Sequence, residues 1–174
     1  MGPGENGMGD LDLNGSRGYF RDLANPAFDD FWCAYQADKP PDSRNFSLVY
    51  RRLIAASMLL NHFSDKIAAE LWPKIKRGED RLKKLEPLIE TISPVALLKL
   101  DACRHFSNDL KHVANKLHSF DSRPRNPDYD DPGEHDVFCF FMKYPKKPDP
   151  IDLCIAAGDA FNFWRGYYSH EFRL

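Results

Sequence analysis

Arg104-His-Phe-Ser-Asn-Asp-Leu-Lys-His112 decides the fold class, because it sits in a run with helical apolar spacing and carries a second, polar face. At about 100° per residue, Val95, Leu98, Ala102, Phe106, Leu110, Val113 and Leu117 fall in one arc centred near Phe106. Arg104, Asn108, Lys111 and Asn115 point the other way, His112 borders that polar arc, and His105 and Asp101 lie on the same flank. A helix that only had to pack needs no such set. Ser93-Pro94 supplies a cap followed by proline, so the helix is expected from there to about Phe120.

Upstream, Ser43 to Leu71 reads as a second long helix with the core stripe Val49, Leu53, Ala56, Leu60, Phe63, Ile67 and Leu71. Its opposite side repeats the division just described: Ile54 and Met58 precede Asn61 and Asp65, as Leu97 and Leu100 precede Arg104 and Asn108. Both helices therefore have a second face that is half apolar and half polar, and the apolar halves require cover from a further helix or a second subunit. Asn25-Pro26 opens a short amphipathic helix ending before Pro40-Pro41, and Leu82, Leu85, Leu88 and Ile89 predict another, interrupted at Pro87. Residues 121–135 are rich in Pro, Asp, Arg and Gly and read as a loop, with Asp128, Asp130, Asp131 and Glu134 as solvated charges. Val137 to Tyr144 predicts a short strand, and Asp149-Pro150 begins a last helix. The expected fold is mainly α, a bundle of four to five helices with a small β-strand or hairpin near 136–144. Residues 1–24 hold six glycines and few apolar anchors, which predicts a flexible N-terminal arm before a single helical domain at 25–174.

A chain of 174 residues fits one domain, and a net charge of −2 supplies no bulk basic field, so non-specific DNA binding is not expected. The four cysteines form no CxxC pair and sit mostly among apolar neighbours, which predicts reduced thiols in a cytoplasmic protein. Apolar runs such as Leu53 to Leu60 are interrupted well short of a span and no signal segment opens the chain, so no membrane association is expected. His62, His105, His112 and Asp65 lack the Glu-x-x-His pattern of bundle metal sites, so neither metal nor other cofactor is expected.

Arg104-His105, six residues and then His112 resemble the motif of HEPN-type helical domains found among prokaryotic toxin, abortive-infection and CRISPR-associated ribonucleases: Arg, then Asn, Asp or His, four to six residues, and His. The segment Leu60-Asn61-His62-Phe63-Ser64-Asp65 resembles the preceding helix of such proteins, and the likeness covers roughly residues 44–120. It implies a metal-independent endoribonuclease or RNA-binding protein that works as a homodimer, with an antitoxin or other protein as partner. Elementary chemistry agrees: RNA cleavage without metal needs a proton carrier, which His112 can be, and a bidentate cation for the phosphate, which Arg104 can be. Lys111 adds charge, Asn108 can orient a ribose hydroxyl or His112, and Asn61, Asp65 and His105 support. On one helix Arg104 and His112 lie roughly 12 Å apart, so two such helices would be needed at one phosphate. The competing reading is a structural ion pair between Arg104 and Asp65 in a non-catalytic helical bundle that serves as a dimerisation or protein-interaction module.

Overall fold

The computed structural model describes residues 13–111, 118–143 and 149–174. Six α-helices and three strands follow one another among them: α1 (Ser16–Tyr19), a π-helical turn (Phe20–Ala24), α2 (Asn25–Gln36), α3 (Ser43–Leu71), α4 (Gly78–Ile92), α5 (Pro94–Lys111), β1 (His118–Arg123), β2 (Val137–Met142), β3 (Ile151–Asp152) and α6 (Leu153–Tyr168). The result is a helical bundle with a small antiparallel sheet.

α3 is the central rod. Asp42 caps its start by accepting the Asn45 N–H at 2.8 Å, and α2, α4, α5 and α6 all pack against it. The predicted stripe is buried from Val49 through Ile67, and only Leu71 at the end reaches solvent. Trp164 of α6 meets Phe63 of α3 edge to face, with ring centroids 5.1 Å apart.

Several expectations fail for identifiable reasons. Residues 16–24, assigned above to the flexible arm, are helical, and Tyr19, Phe20 and Ala24 are buried in the core. Phe20 sits among Phe63, Phe161 and Tyr168 with centroids 4.9 to 5.8 Å away, so two aromatics outweigh the local glycine content. Asn25-Pro26 is therefore a junction within helical chain. Pro26 has no N–H to return to Asp22, and the turn before it widens, with Asn25 N–H donating to the Phe20 carbonyl.

Pro87 does not interrupt α4. It faces solvent, where water can satisfy the carbonyl whose partner the proline removes, and the Thr91 hydroxyl donates to the Pro87 carbonyl at 2.8 Å.

The helix expected to reach Phe120 is described as α5 only to Lys111, and His118–Arg123 is a strand instead. β1 pairs antiparallel with β2, Phe120 opposite Phe140 and Arg123 opposite Val137, and the short β3 pairs at Phe141 and Met142. Thus β2 is the predicted strand, and its partner comes from residues read as helix end and loop. α6 starts at Leu153, three residues after Pro150, because Asp152 caps it by accepting the Cys154 N–H at 2.9 Å.

The second face of α5 also resolves differently. Leu100 is buried and Leu97 half-buried, because α4 lies over them and brings Leu82, Leu85 and Ile89 into the same crevice. Val95, placed above in the core stripe, is 61% exposed. The cover that Leu97 and Leu100 required is a helix of the same chain, so they supply no argument for a second subunit. Phe20→Ala is expected to destabilise the protein by about 3–5 kcal/mol, as deletion of a fully packed aromatic does. A urea midpoint unchanged from wild type would contradict the packing of residues 16–24.

Candidate functional site

Arg104 projects from α5 toward α4. One guanidinium nitrogen donates to Glu86 Oε1 at 2.8 Å and the other to Asp101 Oδ1 one turn back on its own helix. Its side chain is 29% exposed. Burial works to lower the Arg104 pKa, but the hydrogen bonds and charges of Glu86 and Asp101 outweigh it and raise the value above the ordinary guanidinium range. The crevice where these groups meet is small, about 30 Å³, and Asn61 also lines it.

The structure therefore brings Asn61 and Arg104 together, as the matching second faces of α3 and α5 predict, but completes the set with Glu86 and Asp101. Asp65 is not part of the crevice lining. It approaches His62 Nδ1 at 3.6 Å on its own helix, so the expected Arg104–Asp65 pair is replaced by Arg104–Glu86–Asp101. His105 is half-exposed, with Nε2 3.7 Å from Asp101 Oδ2, and Asn108 is exposed. Lys111 closes the described part of α5. His112, Val113, Asn115 and Leu117 lie outside the described residues.

A second polar assembly was not foreseen. Asp130, placed among solvated charges above, is buried at 8% exposure. It takes Arg123 from β1 in an ion pair, the Asn126 N–H at 2.7 Å and the Tyr35 hydroxyl at 3.3 Å, while Arg123 also reaches the Tyr35 oxygen at 2.8 Å. Burial acts to raise the Asp130 pKa, yet Arg123 and the Asn126 N–H overcome it and hold the carboxyl below its usual range. Burial pushes the Tyr35 phenol far up, so it stays protonated and serves as a donor.

Arg125 stitches the same loop by donating to the carbonyls of Gln36, Ala37, Asp131 and His135 at 2.9 to 3.1 Å. Asp38 accepts from the Glu134 and His135 N–H groups and approaches the His135 ring at 3.0 Å. A methyl group on Gly133 would stand 2.6 Å from Arg125 Nε and 2.8 Å from Asp38 Cγ, so a larger residue there must push the Arg125 or Asp38 side chain out of place. The signal for this assembly was one buried-type tyrosine on α2 and two arginines beside a Pro/Asp loop. No spacing rule joins residues 35 and 130.

The third feature is a concavity of about 420 Å³ between the start of α3 and the sheet, lined by Phe46, Phe120 and Phe138 with Asp42 and Asp121. Phe120 is 65% exposed, and its ring lies 4.5 Å from that of Phe46, which in turn lies 5.8 Å from Phe138. β1 is the outer strand of the sheet, which leaves this surface open.

Three of the four thiols offer little chemistry. Burial pushes Cys103 and Cys139 up to about 12 and Cys154 well above its ordinary value, so these three stay protonated near neutral pH and are poor nucleophiles. Among the described residues no group of three metal-binding side chains converges, and no helix is long and apolar enough to cross a membrane.

Comparison with protein-family models, curated proteins and solved structures finds no match to this chain.

One pH effect follows from the loop. The Glu134 N–H, the His135 N–H and the His135 ring hold the Asp38 carboxyl down to about 2 from an ordinary 3.8. A depressed carboxyl contributes stability that is complete above its ordinary value and lost as pH falls toward the depressed one. Amide exchange at Glu134 and His135 should therefore show opening that increases from pH 4 to pH 2 in wild type, whereas in Asp38→Asn that increment should be absent.

Proposed function

We propose that the protein is a non-catalytic helical module that binds another protein, and that the polar face of α5 is a structural seam. The observation that carries this reading is the double engagement of Arg104 by Glu86 and Asp101. A phosphate clamp needs a guanidinium whose donors are free to fork onto phosphate oxygens; here both terminal nitrogens are committed to carboxylates, and turning the fork to a phosphate would break both contacts. The open aromatic concavity at Phe46, Phe120 and Phe138 supplies the kind of surface a partner covers.

A second reading is favoured by the partial exposure of Arg104 and by the placement of His105 and Asn108 beside it on α5. It is the HEPN-like one: a metal-independent endoribonuclease of toxin or defence type acting as a homodimer, with an antitoxin partner. Arg104 holds phosphate charge, His112 carries the proton, Asn108 and Lys111 assist, and Asn61, Asp65 and His105 support.

Arg104→Met and His112→Ala separate the two. In the module, Arg104→Met lowers the unfolding free energy by about 1–3 kcal/mol, because two half-buried carboxylates lose a charged donor, and wild-type protein leaves single-stranded RNA intact in EDTA. The ribonuclease instead cuts RNA in EDTA and spares DNA, which lacks the attacking 2′-hydroxyl. It also loses at least about a hundredfold in rate in His112→Ala with an unchanged urea midpoint. That second pattern would overturn the module reading.

A further inference from the structure

We propose that the Phe46–Phe120–Phe138 concavity receives a cationic side chain, an arginine or lysine, from an extended segment of the partner protein; this rests on the module reading above. Its volume of about 420 Å³ falls within the roughly 300–1,000 Å³ of ordinary ligand sites. Phe46, Phe120, Phe138 and Pro41 supply its apolar lining, and the charged residues along it are Asp42 and Asp121. Aromatic faces attract a guanidinium or ammonium through the ring quadrupole, and a nearby carboxylate adds to that attraction. The same pairing occurs inside the molecule, where Arg17 lies 4.8 Å over Tyr168 and Arg123 lies 4.9 Å over Tyr129.

Two other occupants fit less well. The site borders the start of the 29-residue α3, where a helix would ordinarily favour an anion, but Asp42 already caps that end and brings its own negative charge. A strand adding to β1 would want the backbone groups of that edge, yet the Ser122 N–H is taken by the Asp121 carboxylate at 2.8 Å. Arg123, the nearest arginine along β1, is bound to Asp130 and Tyr35, and among the described residues no salt bridge reaches Asp121.

The test is a titration of the full chain, followed by the aromatic and backbone signals of Phe46, Phe120 and Phe138, with a capped Ala-Leu-Arg-Leu-Ala peptide, its norleucine counterpart and methylguanidinium. The arginine peptide should shift these signals saturably, bind at least about fivefold more tightly than the norleucine peptide, and weaken as salt rises. Phe120→Ala and Asp121→Asn should each weaken it by a similar factor. Phe120 is exposed, so an otherwise unchanged spectrum will verify that the variant is folded. Equal binding of both peptides, absence of binding up to about 5 mM, or undiminished binding to Phe120→Ala would overturn the proposal. Methylguanidinium binding as tightly as the peptide would overturn its assignment to a protein-borne cation. These failures leave the module reading standing, because that reading is decided by RNA cleavage and by the stability of Arg104→Met.

Discussion

The bundle depends on α5 being buried on two sides at once. Phe106 and Ala102 face α3 and α6, while Leu97 and Leu100 face α4. A helix held this way has only narrow strips left for polar groups, and those strips run along the seams between neighbours. A strongly hydrated side chain on such a strip must find a partner or force the seam open. Arg104 finds two, one on each helix it touches, and thereby fixes the height of α4 along α5 as well as its distance. Asn61 on α3 closes the same seam from the third side.

This arrangement explains why a residue set that looks chemical in sequence can be architectural in space. Guanidinium, amide, carboxylate and imidazole are what a phosphodiester site would use, and also what a three-helix junction uses when it cannot be wholly apolar. The difference lies in who satisfies the arginine. Glu86 is eighteen positions upstream in a charged stretch with no special spacing, so nothing local announced it as the partner. The amphipathic pattern of α3 and α5 did disclose a half-wet second face on each, and the two faces do meet. What stayed hidden was the identity of the cover, because α4 carries its apolar residues at Leu82, Leu85 and Ile89 inside a run of lysines and acids.

Legibility tracked the range of the interactions involved. α3 was readable because its helical period is local. β2 was readable from its aromatic run. β1 was not, since His-Ser-Phe-Asp-Ser-Arg has no alternation strong enough to outweigh the helical phase running into it, and it is a strand because β2 needs a partner. Residues 16–24 misled in the opposite direction: glycine content argued for entropy, while Phe20 packs against Phe63, Phe161 and Tyr168, Tyr19 and Ala24 are buried, and Ser16 donates to Glu70, which together hold the segment.

The stitched connection between β1 and β2 gives the protein an unexpected resistance. By composition it is the natural place for a protease to enter, with arginines at 123 and 125 flanked by proline, asparagine and aspartate. Cleavage after a basic residue requires that its side chain leave the protein for the enzyme's specificity pocket and that the backbone extend locally. Arg125, 8% exposed, would have to abandon four carbonyls. The segment that looks most expendable is thus among the best defended against digestion, and nicking there reports unfolding of the whole junction between α2 and the sheet.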